Sequence, residues 1–141
     1  MRIVVDTNVL LNAVLPASGN YWLFKGIMSG TFTLCVTNEI LTEYAEIFTR
    51  FYDSVVTDNF LTALIYSPFV EKIDVYFHWF AIGADPDDDK FVDCAFSANA
   101  QCIITNDRHF DVLNTRDFPK ISTFRPDEFR QFFTSSGRTL P

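Results

Sequence analysis

Acidic side chains stand at the ends of two apolar segments, where they could bind a metal ion. Ile3-Val4-Val5 runs directly into Asp6, and Ile103-Ile104-Thr105-Asn106 runs into Asp107. Short β-branched runs of this kind are typical of buried parallel strands. If the two strands are neighbours, their carboxylates converge at one edge of a sheet. Asp and Asn also cap helices, so either strand end taken alone has a simple structural explanation.

A second group of acids lies in Asp85-Pro86-Asp87-Asp88-Asp89 and continues with Asp93, which gives five aspartates within nine residues. One or two of them suit the positive end of a helix, but five exceed what capping requires. Asp89 and Asp93 are four residues apart and therefore share one side of the predicted helix. Carboxylates on the same side repel each other unless a cation is bound.

A third candidate is Glu43, in a helix predicted from Asn38 to about Phe51. At about 100° per residue, Glu43 lies beside the apolar stripe of this helix, whereas Glu39 and Glu46 point further into solvent. An acid at the border of a buried face can reach the rim of the sheet. A solvated helix glutamate is the simpler explanation on spacing alone.

Carboxylates in these positions suit hard divalent cations. Mg²⁺ and Mn²⁺ prefer oxygen ligands, and each usually takes one or two carboxylates together with water. Two such ions roughly 4 Å apart can hold both the attacking water and the leaving oxygen of a phosphodiester. This chemistry requires carboxylates from distant parts of the chain at one edge of a rigid sheet, and it requires no His, Ser or Cys nucleophile.

The predicted elements alternate in the order that produces a parallel sheet with helices on both faces. Strands are predicted at 3–5, 31–36, 70–77, 101–105 and 120–124. One helix is predicted to begin at Thr57 or Asp58, and a last helix begins at Pro126. The predicted class is therefore α/β. Ligands bind such sheets outside the carboxyl ends of the strands, where the acids lie.

Composition limits the classes of protein to which the chain can belong. Its 141 residues are 48% hydrophobic and 16% aromatic, which fits one domain with a core and excludes a disordered chain. No window is apolar enough for a membrane span, so we predict a cytoplasmic protein. The net charge of −7 argues against a broad basic surface that coats nucleic acid. Three unpatterned cysteines argue against disulfides and structural zinc.

Five segments of the chain, taken in sequence order, resemble those of the PIN-domain family of metal-dependent ribonucleases, and more narrowly those of the VapC-related toxins of toxin–antitoxin systems. The matching segments are Ile3–Leu11, Ile40–Tyr44, Asp85–Ala95, Ile103–Asp107 and Phe124–Phe129. The resemblance covers about residues 1–133 as a PIN-like nuclease domain and leaves residues 134–141 as a polar tail. It implies a three-layer α/β/α sandwich around a mostly parallel five-stranded sheet.

The resemblance also implies a site and its partners. The acidic quartet maps onto Asp6, Glu43, Asp89 and Asp107, with Asp93 as an accessory acid. The supporting polar positions are Asn8, Thr105 and Asn106. These residues would bind one or two Mg²⁺ or Mn²⁺ ions and activate water to cleave single-stranded RNA. An antitoxin protein and a second copy of the chain are the implied partners. Because the acids are crowded, Asp87 and Asp88 remain alternatives to Asp89.

Three basic residues follow these acids, and two other functions stay open. Lys90, Arg108 and His109 could hold a substrate phosphate, although ordinary surface charge is an equal explanation. A haloacid-dehalogenase-like phosphatase also places an Asp after its first strand, but it needs a second Asp where this chain has Asn8. A non-catalytic RNA- or partner-binding module would have no need of four acids.

Overall fold

A computed structural model describes residues 1–141 and contains one sheet of five strands. The strands are β1 (Arg2–Val5), β2 (Thr33–Val36), β3 (Val70–Lys72), β4 (Cys102–Ile104) and β5 (Ser122–Phe124). They lie in the order β3-β2-β1-β4-β5, and every neighbouring pair is parallel. Val5 lies beside Ile104, which in turn lies beside Phe124. The predicted α/β class with a parallel five-stranded sheet is confirmed.

Helices cover both faces of this sheet. They are α1 (Thr7–Ala13), α2 (Tyr21–Met28), α3 (Asn38–Phe51), α4 (Ser54–Tyr66), α5 (Asp89–Ser97) and α6 (Pro126–Ser135). From β1 to β3, each new strand is added towards one edge of the sheet. After β3 the chain returns to the other side of β1, where β4 and β5 are added towards the opposite edge. Because parallel crossovers are right-handed, α1 to α4 and α5 lie on opposite faces. The result is the expected three-layer α/β/α sandwich.

The order in which strands are added to the sheet reverses between the parallel neighbours β1 and β4, which lie side by side at its centre. Asp6 follows β1, and its amide donates a hydrogen bond to the carbonyl oxygen of Ile104 at 3.0 Å. Thr105 follows β4 directly. The two acidic strand ends are therefore neighbours, as the sequence predicts, and they lie at the edge where open α/β sheets bind ligands.

The position of α3 is fixed by a buried tyrosine. Tyr44 is fully buried, and its hydroxyl donates a hydrogen bond to the carbonyl oxygen of Val5 at the end of β1. The helix begins after Thr37, whose hydroxyl accepts a hydrogen bond from the amide of Ile40. Because Glu43 precedes Tyr44, these contacts hold Glu43 close to the end of β1.

Several predicted boundaries differ from the structure. The strand predicted over 70–77 ends at Lys72, because its neighbour β2 ends at Val36, whose carbonyl oxygen accepts the last bond of this pair from the amide of Ile73 at 2.7 Å. Residues 73–85 instead form an irregular segment that leads into a 3₁₀ turn at Pro86–Asp88. The helix α4 begins at Ser54, because the Asp53 side chain caps it through the amide of Val56.

The last helix, α6, continues to Ser135, so the first two residues of the predicted polar tail are helical. A 3₁₀ segment, Arg108–Thr115, follows β4. No helix in the structure combines the length and apolar character that a bilayer crossing requires.

Candidate metal centre

Six acidic residues line a cleft of about 230 Å³ at the carboxyl end of the sheet. Three more residues, Thr7, Asn8 and Ile47, complete the lining, and none of the residues that form it is basic. The acids are Asp6, Glu43, Asp85, Asp87, Asp88 and Asp107. They come from the end of β1, from α3, from the 3₁₀ turn before α5 and from the end of β4. Four separate parts of the chain thus bring like charges to one place.

Thr105 connects the acids that follow the two central strands. Its hydroxyl donates a hydrogen bond to Asp6 Oδ2 at 2.7 Å and accepts one from the amide of Asp107 at 3.0 Å. Asp6 is only 8% exposed. Burial raises the pKa of its carboxyl, the bond from Thr105 opposes this rise, and the charges of Glu43 and Asp107 add to it.

Both carboxylate oxygens of Glu43 have partners. Its Oε2 accepts a hydrogen bond from the hydroxyl of Thr7, the first residue of α1. Its Oε1 forms an ion pair with Lys90 Nζ at 2.9 Å. Glu43 is therefore fixed between the start of α1 and the start of α5.

Asp88, by contrast, has a buried oxygen without a partner. Its side chain is 13% exposed, and no hydrogen bond reaches its Oδ2. The pKa of its carboxyl is raised to about 7, first by burial and then by the charges of Asp85, Asp107 and Asp6, while His109 opposes the rise. A buried carboxylate oxygen among like charges and without a donor fits the binding of a cation.

The structure places Asp89 and Asp93 away from this cleft. Asp89 Oδ1 accepts a hydrogen bond from the amide of Ile82 at 2.7 Å. Asp93 is buried, accepts a bond from the amide of Trp79 at 2.9 Å, and pairs with Nδ1 of His78 at 2.9 Å. Both carboxylates therefore hold the irregular segment 73–85 against α5.

The register of the 3₁₀ turn explains why Asp88, and not its neighbour, faces the cleft. Asp88 is the last residue of that turn, and Asp89 is the first residue of α5. Successive helical residues point about 100° apart, and the step from Asp88 to Asp89 turns the Asp89 carboxylate towards the amide of Ile82, outside the cleft. Asp88, an alternative to Asp89 in the sequence, thus lines the cleft, and Asp89 does not.

The remaining predicted residues divide in the same way. Asn8 lines the cleft, and Thr105 supports it, whereas Asn106 and Arg108 are exposed and outside its lining. His109, the other basic residue after Asp107, lies beside the acids. Its Nδ1 lies 3.5 Å from Asp107 Oδ1 and 3.7 Å from Asp88 Oδ2. The sequence singled it out only as a possible phosphate contact, two residues after Asp107.

The raised pKa of Asp88 predicts how the stability of the metal-free protein depends on pH. An unfolded aspartate has a pKa near 3.9, so between about pH 4 and 7 the folded protein binds more protons than the unfolded chain. Its free energy of unfolding therefore falls as pH rises through this window. We expect Asp88→Asn to stabilise the protein at pH 8 by on the order of 2 kcal/mol, and by much less at pH 5.

Urea unfolding of both proteins at pH 5 and pH 8, with EDTA present, measures this difference. Subtracting one protein from the other removes the contribution of titrating groups that do not interact with Asp88. A difference that is the same at both pH values would contradict the prediction.

Residues 2–109 match a family model described as PIN domain. Among solved structures, a chain in the crystal structure of VapBC2 from Rickettsia felis bound to a DNA fragment from their promoter is similar. Its TM-score is 0.60 and its identity 17%, over 89% of this chain and 98% of that chain. At this identity the likeness shows a shared fold. No curated protein matches the chain.

Proposed function

The chain belongs to the PIN-domain family, and from this we propose that it is a metal-dependent endoribonuclease that cleaves single-stranded RNA. The observation that carries the proposal is the meeting of Asp6, Glu43, Asp88 and Asp107 in one cleft. The cleft lies where the strand order reverses, between β1 and β4, which is the usual place for a ligand in this fold class.

The residues of the cleft fit Mg²⁺ or Mn²⁺. The available donors are mainly carboxylate oxygens, which these hard cations prefer. Asp85, Asp88 and His109 offer ligand atoms that lie within 4.8 Å of one another. We assign the ion to Asp88 together with the strand-end acids Asp6 and Asp107 of the same cleft, and the unpartnered buried oxygen of Asp88 supports this assignment. A bound ion of this kind supplies an activated water and offsets the negative charge of a phosphodiester.

Other residues of the chain orient these acids and control access for RNA. Thr105 bonds both strand-end acids and so restricts the directions in which their free oxygens point. His109 is half-exposed beside Asp88 and Asp107, where it can contact a phosphate at the rim. Without a cation, six acids would repel the phosphates of RNA, so productive binding of RNA depends on the ion.

We also propose that the chain is a VapC-like toxin, paired with an antitoxin protein, that acts in the cytoplasm as a homodimer. The similar structure is named as a VapBC2 complex, which supports a protein partner for this chain.

Production of the chain alone should arrest bacterial growth, and production of Asp6→Asn should not. Light scattering of the purified chain tests the homodimer. Growth that continues during production of the folded wild type would contradict the toxin assignment.

Cleavage of a mixed-sequence single-stranded RNA tests the proposed reaction directly. We expect internal cuts with Mn²⁺ or Mg²⁺ and none with EDTA. Without the ion, the acids cannot lower the pKa of the attacking water or offset the negative charge of the phosphodiester. Asp107→Asn serves as the matched control, since it keeps the size of the side chain and removes its charge.

Equal cutting by the wild type and Asp107→Asn would indicate a contaminating nuclease and contradict the assignment. If a folded wild type binds RNA and metal without cutting, the chain is the binding module that the sequence left open. Release of phosphate from a small phosphomonoester would favour the phosphatase instead, although Asn8 replaces its second Asp.

A further inference from the structure

Lys90 places a nearly buried ammonium group against the acids of the candidate metal centre. Its side chain is only 9% exposed, although lysine is almost never fully buried without a partner. Its Nζ lies 2.9 Å from Glu43 Oε1 and donates a hydrogen bond to the carbonyl oxygen of Asp87 at 2.7 Å. It also lies 5.5 Å from the centre of the Phe91 ring. These contacts fix the charge of Lys90 behind Glu43, outside the lining of the cleft itself.

This ammonium distinguishes Glu43 from the other acids. Glu43 has the Thr7 hydroxyl on one oxygen and Lys90 on the other. Asp88 has a buried oxygen with no hydrogen-bond partner. Glu43 is thus already neutralised by a lysine in direct contact, whereas Asp88 Oδ2 has no hydrogen-bond donor and only the half-exposed His109 at 3.7 Å.

The fixed charge of Lys90 also opposes a metal ion on Glu43. A divalent ion bound to Glu43 would lie within a few ångströms of the ammonium, and the repulsion between two cations is strong in a partly buried site. The lysine is enclosed, and moving it away would break its bond to the carbonyl oxygen of Asp87. Lys90 therefore takes the place that a second cation would need.

We propose that Lys90 acts as a resident cation on Glu43, so that the site holds one divalent ion, on Asp6, Asp88 and Asp107. Glu43 is then a positioning residue. Through Thr7 it holds the backbone that follows Asp6 at the start of α1. This inference rests on the proposed function, because it concerns the ion that the nuclease would use.

Counting bound Mn²⁺ tests the inference without measuring activity. Electron paramagnetic resonance of free Mn²⁺ gives the number of ions bound per chain at saturation. We expect one ion in the wild type and in Lys90→Arg, which keeps the charge. Lys90→Met removes the charge and frees Glu43, so we expect two ions. Lys25→Met, at an exposed lysine of α2, is the matched control and should bind one.

The outcomes separate this inference from the proposed function. Two ions in the wild type, or one ion in folded Lys90→Met, would overturn the inference and leave a metal-dependent nuclease intact. No ion in the folded wild type would overturn both.

A second variant keeps the test decisive if Lys90→Met does not fold. Glu43→Gln should still bind one Mn²⁺, with a Kd within roughly tenfold of the wild type, because Glu43 is not a ligand. Asp88→Asn should weaken the Kd by more than about a hundredfold, because it removes a ligand. Equal weakening in the two variants would overturn the inference.

Discussion

Asp88→Asn should lower the rate of RNA cleavage by more than about a hundredfold, whereas Asp89→Asn should change it by less than about threefold. The two residues are adjacent and identical in type, but only Asp88 lines the acidic cleft. Asp89 accepts a hydrogen bond from the amide of Ile82. An asparagine oxygen can accept the same bond, so the fold around position 89 should persist.

Single-turnover rates with one RNA and saturating Mn²⁺ measure this contrast, and circular dichroism confirms that both variants are folded. The pair is its own control, because the substitutions differ only in position. Loss of cleavage in Asp89→Asn with activity retained in Asp88→Asn would reverse the assignment and return the site to Asp89.

Asp6→Asn should reduce cleavage by about a thousandfold, the largest loss that we expect from a single substitution. Burial raises the pKa of the Asp6 carboxyl, and the charges of Glu43 and Asp107 add to this rise, so Asp6 lies within the negative field that would attract the ion. Asparagine keeps an oxygen that can accept the bond from Thr105, so the strand ends stay connected while the charge is lost.

The same single-turnover assay measures this loss, with Asp58→Asn as a control at an exposed acid of α4. The control should retain the activity of the wild type. If folded Asp6→Asn keeps more than about a tenth of that activity, Asp6 is not a ligand of the catalytic ion.

The part of the site built on β1 and β4 was predictable because its signals are local. Each strand is a short β-branched run that ends in a polar residue, and alternation of elements predicts a parallel sheet. Asp6 and Asp107 then come together through the strand order alone. The side of α3 that carries Glu43 follows from the helical period in a similar way.

The choice between Asp88 and Asp89 depends on contacts that no local pattern contains. It is set by the 3₁₀ turn at Pro86–Asp88, whose orientation depends on the path of segment 73–85. That path is fixed by hydrogen bonds from the amides of Trp79 and Ile82 to the carboxylates of α5. Such bonds have no period and no motif in the sequence.

The pair of Glu43 and Lys90 was hidden for a related reason. One residue lies in α3 and the other in α5, and these helices belong to different connections between strands. Their contact becomes visible only when both helices are packed at the same edge of the sheet. The sequence suggested a phosphate contact for Lys90, whereas the structure gives its ammonium to a carboxylate.

Both outer strands of the sheet are only three residues long, and this affects how two copies of the chain could associate. At one edge, β3 carries the charged residues Glu71 and Lys72, and the chain leaves the sheet directly after them. At the other edge, β5 ends at Phe124. Short edge strands, and the charges on β3, disfavour pairing with a strand from another molecule, which protects the protein from aggregation through its sheet. A homodimer of this chain would therefore form through its helices and loops, and not through a continuous sheet across two subunits.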